Sequence, residues 1–214
     1  MPPLRWHYFF SSILISFIIH SYQPKLYKMS TEVKVIKGET VESMWQQVRS
    51  DFEGEDLLGY HVLLDNGNHV VELDVDIDLG GGFEGGYEIT RFISRLPGTN
   101  DFKFALHKED FLDEIGKFFG MQDVKLCYED FDKHVVVKTN DEARTKQLLS
   151  DETLRLFIVA FEDDFTLSLS KDHEEKVLAF EIEKGITDVA VLQKIYNWFV
   201  QLLTALNKPL AGHL

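Results

Sequence analysis

Cysteine is nearly missing from this 214-residue chain, whose only cysteine is Cys127. A single thiol excludes an internal disulfide and every metal site that needs several cysteines. Hydrophobic residues make up 44% of the chain and charged residues 27%, which is the composition of a folded protein. Cys127 lies between Leu126 and Tyr128, and this apolar context predicts a buried structural thiol rather than a nucleophile.

Basic residues are also scarce. Lys and Arg total 22 against 36 Asp and Glu, which gives a net charge of −14. Nucleic acids and anionic membranes are bound by clustered Lys and Arg, so we expect neither as a partner. Residues 1–28 contain Arg5, Lys25 and Lys28 and no acidic residue. Removing this charge of +3 leaves −17 for residues 29–214.

Residues 6–19 are apolar and aromatic, and three interpretations of this leader stay open. Translation from Met29 would omit it and leave a cytoplasmic protein with an acid-rich amino terminus. An uncleaved membrane anchor would have to use residues 6–22, because a helix over 6–19 rises only about 21 Å against a hydrocarbon core of about 30 Å. A secretory signal has Arg5 as its positive region but no pair of small residues for cleavage.

Motifs of catalysis and metal binding are missing as well. The sequence contains no G-x-S-x-G, Walker, H-x-x-x-H or H-E-x-x-H motif. The histidines are isolated, and carboxylate pairs suited to acid–base chemistry cannot be singled out among 36 acids. We therefore expect no catalytic residue, no metal site and no cofactor.

A β-hairpin is the strongest local prediction. Two β-rich runs, residues 60–64 and 69–79, flank the dipeptide Asn66-Gly67, which is typical of a two-residue type I′ turn. A turn centred on this dipeptide fixes the register of the two strands. The predicted cross-strand pairs are Tyr60–Leu73, His61–Glu72 and Val62–Val71.

The second run of the hairpin alternates apolar and acidic residues, which predicts one buried and one solvated sheet face. The glycine-rich stretch that follows, residues 80–86, formally matches G-x-G-x-x-G, but strand-like residues come after it instead of a helix. We interpret it as a hairpin connection. A ligand loop at its junction with the acidic strand is the alternative, with these candidate residues: Asp74, Asp76, Asp78, Gly80, Gly82, Glu84 and Gly85.

Helical periodicity occurs over residues 41–53, 111–119 and 188–206, between runs that alternate like strands. Hairpins followed by helices predict an α+β fold, with a mostly antiparallel sheet and helices packed on one face. We expect one domain over 29–214, with a subdomain seam near 120–124 as the alternative. The apolar stripe of the helix at 188–206 is a core signal first and a homo-oligomer surface second.

Residues 128–149 resemble a pattern of bacterial domains of unknown function, some of them carried on membrane-spanning segments. The pattern consists of Tyr128, a short strand at 134–138, a polar turn into a helix and the pair Leu148-Leu149. The resemblance implies a bacterial protein and transfers no catalytic residue.

These observations favour a non-enzymatic binding or assembly protein with an unidentified protein partner. The first alternative is an acidic, immunity-like protein that masks a basic partner, because residues 29–214 carry the charge of −17. The second is an enzyme or metal-binding protein that uses the glycine-rich loop and the adjacent acidic strand.

Overall fold

The computed structural model describes residues 33–53, 57–81, 85–97, 100–108, 120–172 and 175–207. Residues Val33–Leu214 form one compact unit. The strands are β1 (Lys34–Lys37), β2 (Gly59–Asp65), β3 (Val70–Asp78), β4 (Tyr87–Leu96), β5 (Phe104–Lys108), β6 (Gln122–Val124), β7 (Val135–Thr139), β8 (Phe165–Asp172) and β9 (Glu175–Ile182). The helices are α1 (Val41–Phe52), α2 (Glu129–His134), α3 (Glu142–Leu148), α4 (Glu152–Val159) and α5 (Val189–Leu206).

The described strands form a single nine-stranded sheet in the order β1-β2-β3-β4-β9-β8-β5-β7-β6. Only the β1–β2 pair is parallel, and the other neighbouring strands run antiparallel. Short connections join β2 to β3, β3 to β4 and β8 to β9, which is how consecutive antiparallel strands are linked. The predicted α+β fold with a mostly antiparallel sheet is confirmed.

Helix α5 follows the predicted apolar stripe and supplies the largest block of the core. Seven of its side chains are at most 3% exposed, namely Leu192, Ile195, Tyr196, Trp198, Phe199, Leu202 and Leu203. The ring centroid of Trp198 lies 5.1 Å from that of Phe180 in β9 and 4.5 Å from that of Phe157 in α4. This stripe is thus used within the chain, and self-association through residues 188–206 stays a prediction.

Helix starts follow local capping chemistry. Thr40 caps α1 through a reciprocal pair of bonds with Ser43, as its position before the apolar periodicity predicts. Asp141 and Asp151 cap α3 and α4. The cap of α5 is Asp188, whose carboxylate accepts from the main-chain N–H groups of Ala190 and Val191.

The β2–β3 hairpin forms, but its predicted register was wrong by two residues. Val62 lies opposite Leu73 and Tyr60 opposite Val75. The turn is centred on Gly67-Asn68, where Gly67 has φ +83° and the N–H of Asn66 donates to the carbonyl oxygen of His69 at 3.2 Å. The Asn66 carboxamide oxygen accepts from the N–H groups of Asn68 and His69, which moves the turn one residue forward.

Three short elements, β1, β6 and α2, were not predicted. Strand β6 pairs with β7 at one edge of the sheet, at the position suggested for a subdomain seam, and α2 directly precedes β7. The leader, the helix predicted at 111–119, and residues Gly82 and Glu84 lie outside the described residues. Among the helices of the described ranges, none has both the length and the apolar character needed to cross a membrane.

Candidate functional site

Over six neighbouring strands, one face of the sheet is left uncovered by the part of the chain that the structure describes. In these strands, β1 to β4, β9 and β8, the inward side chains pack into the core. The outward side chains belong to odd-numbered residues in β1, β2, β4 and β9. In β3 and β8 they belong to even-numbered residues. None of these outward side chains is buried. We call this surface the open face. It carries eight carboxylates against three Lys or Arg side chains.

Arg91 neutralises part of this acidic surface. Its guanidinium donates to Asp74 at 2.9 Å and to Glu181 at 3.4 Å, which joins β3, β4 and β9. Burial opposes the charge of Arg91, but the bond to Asp74 and the charge of Glu181 outweigh burial and raise its pKa. Asp74, a predicted ligand residue, is therefore engaged in an ion pair within the sheet.

The other predicted acids have separate roles. Asp76 accepts a hydrogen bond from the Tyr87 hydroxyl, which raises the pKa of Tyr87 to about 12. Asp78 accepts from the N–H of Gly80 at 2.9 Å and so closes the start of the β3–β4 connection. Gly80 has φ +71°, a conformation that favours glycine. Asp74, Asp76 and Asp78 thus lie in a row along β3 and contact different groups. Their carboxylates do not converge on a common point.

His61 and Glu72 meet across β2 and β3, although they are not directly opposite. Their side chains lie 2.8 Å apart (Nε2 to Oε1) as a diagonal pair, because His61 faces Asp74 in the observed register. The contact was predicted from a different register. It adds to the network of cross-strand polar contacts on the open face.

A row of apolar side chains crosses the middle of the open face. Val35, Leu63, Ile93 and Ala179 share one row of the cross-strand register, interrupted by Glu72. Val35 is 49% exposed, and the other three apolar side chains are half-buried. An apolar centre bordered by charged residues is the usual layout of a protein interaction surface.

The open face ends at β5. Ala105 and His107 occupy outward positions of that strand, yet they are 0% and 4% exposed. His107 Nδ1 lies 2.8 Å from the Lys108 carbonyl oxygen. The uncovered surface is thus bounded by β1 on one side and by β8 on the other.

A groove on the helix side of the molecule surrounds Phe102, and we call it the Phe102 groove. It consists of two recesses of about 330 and 490 Å³ that share Phe102 and Arg144. The first is further lined by Gln147, Leu148, Ser150, Asp151, Ala205 and Leu206, and the second by Asn100, Asp101, Asn140, Asp141 and Glu142.

Two cationic side chains meet at the ring of Phe102. The guanidinium carbon of Arg144 lies 4.4 Å from the ring centroid and the ammonium of Lys176 lies 5.9 Å from it. Lys176 is only 6% exposed, and its ammonium donates to the Asn100 side-chain oxygen. Burial lowers the pKa of Lys176 and the nearby charge of Arg144 lowers it further, while the charge of Asp101 counteracts part of this shift.

The groove is held in shape by the turn between β7 and α3. The Asn140 side chain accepts from the N–H of Lys103 at 2.8 Å and donates to the carbonyl oxygen of Asp101 at 2.6 Å. The Thr139 hydroxyl donates to the Lys103 carbonyl oxygen at 2.8 Å. The residues on both sides of Phe102 are thereby tied to this turn, so the floor of the groove is fixed before any ligand arrives.

Phe102, Arg144 and Lys176 were not among the site residues predicted from the sequence. Lys176 carried a usable signal, because it shares the inward parity of Leu178 and Phe180, where a lysine is out of place. Arg144 gave no such signal in the sequence, because an arginine on a short polar helix is common.

Cys127 is exposed, which corrects the prediction of a buried thiol. Leu126 occupies the buried position, and Cys127 takes φ 66° in a turn held by Asp132. The Asp132 carboxylate accepts from the N–H groups of both residues, at 2.9 and 2.7 Å.

Within the described part of the chain, no three His, Cys, Asp or Glu side chains converge in a way that could hold a metal ion. Comparisons with protein-family models, with curated proteins and with solved structures found no match.

Proposed function

We propose that this protein is a non-enzymatic binding or assembly protein that docks a basic protein through its open face. The observation that carries the proposal is the excess of carboxylates, eight against three Lys or Arg, on a sheet face that none of the described helices covers. A basic surface would gain complementary charge and would cover the apolar row. This partner chemistry belongs to the same class as an immunity-like protein that masks a basic target.

Two acids on the open face are available for such a contact. Asp76 and Asp78 accept hydrogen bonds from uncharged groups only, and no Lys or Arg of the described residues pairs with either. Asp74 and Glu181, by contrast, already share Arg91. A basic partner would therefore place its Lys or Arg side chains at the end of β3 nearest the glycine-rich connection.

The open face is also large enough for a specific complex. Six strands spaced about 4.8 Å apart span about 24 Å, and the nine residues of β3 extend about 30 Å. The resulting area of about 700 Å² approaches the roughly 800 Å² that each partner contributes to a standard interface.

The first experiment places a photo-crosslinking residue at position 179 in cells that produce the protein natively, with position 46 on α1 as the helix-side control. We expect a crosslinked protein with a basic surface from position 179. Crosslinking from position 46 alone, or from neither position, would overturn the proposal.

The second experiment measures the affinity of the purified partner for two charge-matched variants. Asp76→Asn with Asp78→Asn should weaken binding at least tenfold, because the partner's basic groups lose two carboxylates, about 1.4 kcal/mol or more. Glu152→Gln with Glu162→Gln removes the same charge outside the open face and should leave the affinity unchanged. Equal losses in both variants would contradict docking at the open face.

The location of the protein belongs to the same proposal. A bacterial cytoplasmic protein translated from Met29 fits the acid-rich sequence that begins there, and an anchor through residues 6–22 is the alternative. Intact-mass measurement of the native protein distinguishes them. A mass that includes residues 1–28, recovered from membranes, would contradict translation from Met29.

A further inference from the structure

Two cations lie at the ring of Phe102, and neither has a carboxylate within ion-pair distance among the described residues. Arg144 stacks on the ring and lines both recesses of the Phe102 groove, whereas Lys176 lies beside the ring and lines neither, with Asp101 as its charged counterpart. Each cation can donate several hydrogen bonds, and a guanidinium offers two parallel donors that match the geometry of a carboxylate.

The positive charge of Lys176 is less stable in its surroundings than that of Arg144, because its ammonium is nearly buried. A nearly buried ammonium is normally paired with an acid, because removing it from water without a partner is costly. The single side-chain oxygen of Asn100 leaves two of its three N–H groups without a described acceptor. An anion bound on Arg144 at the side nearer Lys176 would offset both the burial and the mutual repulsion of the two charges.

The acids of the groove limit how much negative charge an occupant can carry. Asp141 and Asp151 cap α3 and α4, and Glu142 pairs with Lys146 at 2.6 Å. Asp101 is the remaining carboxylate of the lining. These four acids would repel a polyanion more strongly than a single carboxylate, so a phosphate group fits this site poorly.

The first recess adds an apolar wall to the cationic pair. Phe102, Leu148 and Leu206 line it together with Arg144. Its volume of about 330 Å³ is in the range of small-ligand sites. We propose that the Phe102 groove binds a monocarboxylate that carries an apolar group, with the carboxylate on the Arg144 guanidinium at the side nearer the Lys176 ammonium and the apolar group against Leu148 and Leu206. A free carboxylic acid and the carboxyl terminus of a peptide share this chemistry.

Calorimetric titration with hexanoate tests the site on the full chain, independently of the open face and of its proposed partner. We expect hexanoate to bind, and hexanamide, which has the same apolar chain without the charge, to bind at least tenfold more weakly. Inorganic phosphate should bind at least tenfold more weakly than hexanoate. No heat with hexanoate, or equal affinity for hexanamide, would overturn the proposal.

Two arginine variants locate the bound carboxylate. Arg144→Gln should weaken hexanoate binding at least tenfold. The matched control is Arg155→Gln, because Arg155 also stacks on an aromatic ring, 3.5 Å from the centroid of Tyr128, but does not line the groove. Circular dichroism verifies that both variants fold. Equal weakening by both variants would show nonspecific attraction and would refute the site.

The source of the carboxylate is identified with the tripeptide Ala-Ala-Leu and its carboxyl-terminal amide. Binding of the free tripeptide at least tenfold tighter than hexanoate, lost on amidation, supports a peptide terminus as the ligand. Equal affinity for the tripeptide and hexanoate supports a small carboxylic acid. Equal binding of the amide and the free tripeptide would contradict carboxylate recognition altogether.

Discussion

The hydrogen bond between Asn66 and Tyr196 joins the β2–β3 turn to the central helix of the core, and it yields a quantitative prediction. The Asn66 amide nitrogen donates to the Tyr196 hydroxyl at 2.9 Å, while its oxygen accepts from the main-chain N–H groups of Asn68 and His69. Tyr196 is 0% exposed. Burial raises the pKa of this phenol to about 12, and the bond from Asn66 counteracts part of that shift.

Asn66→Ala removes all three bonds at once. Two turn bonds contribute about 0.5–1.5 kcal/mol each, and a buried hydroxyl left without its partner costs about 1–3 kcal/mol. The free energy of unfolding should therefore fall by about 2–6 kcal/mol. Tyr196→Phe should cost less, about 0.5–1.5 kcal/mol, because it removes the hydroxyl and leaves the half-buried Asn66 amide within reach of water.

Urea denaturation of the two single variants and the double variant measures the coupling. In the Tyr196→Phe background, Asn66→Ala should cost at least about 1 kcal/mol less than in the native chain, because no hydroxyl is then left unpaired. Asn68→Ala, at the neighbouring turn position, serves as a control that does not remove the bond to the tyrosine. If the costs of Asn66→Ala and Tyr196→Phe add within about 0.5 kcal/mol, the turn is not joined to the helix as described.

Three further predictions concern the backbone, a cap and pH. Gly86→Ala should destabilise the fold by about 1–3 kcal/mol, because its Cβ would lie 2.3 Å from a main-chain oxygen, whereas Gly85→Ala meets nothing within 4 Å and should change stability by less than about 0.5 kcal/mol in the same urea assay. Asp188→Ala should cost about 1 kcal/mol and Thr187→Ala less than about 0.5 kcal/mol, and the reverse order in thermal unfolding would misplace the cap of α5. Burial lowers the pKa of His69, so the unfolded chain binds its proton more readily; stability is complete above the unfolded pKa near 6.5 and is lost as pH falls through the folded value. His69→Gln should reduce this loss in urea titrations below about pH 6.5, and an unchanged slope would contradict the assignment.

Sequence periodicity predicted the faces of the sheet better than it predicted the partners of each strand. The hairpin register was wrong by two residues, but a shift of two returns every side chain to the same face. Val71 and Leu73 are buried, as the alternation predicts. Leu79 is the exception, because it lies just beyond the end of β3 and is 73% exposed.

The Phe102 groove could not be derived in the same way. Arg144, Phe102 and Lys176 are separated by more than thirty residues along the chain, and they meet because β5, α3 and β9 converge in three dimensions. The signals for it, such as a lysine at an inward strand position, are local irregularities rather than periodic patterns. Identifying the groove requires the three-dimensional structure, which shows that the residues that break the pattern lie next to each other.

The two proposed surfaces should respond differently to salt, and the reason lies in their burial. Asp78 on the open face is exposed, so its attraction for a basic partner is screened over a distance of about 8 Å at physiological ionic strength. Lys176 is nearly buried, and charges shielded from solvent are screened much less. Binding at the open face should therefore weaken steeply with added salt, while carboxylate binding in the Phe102 groove should weaken only slightly. An equal dependence would mean that the bound carboxylate does not reach Lys176, and the groove would then act only through the more exposed guanidinium of Arg144.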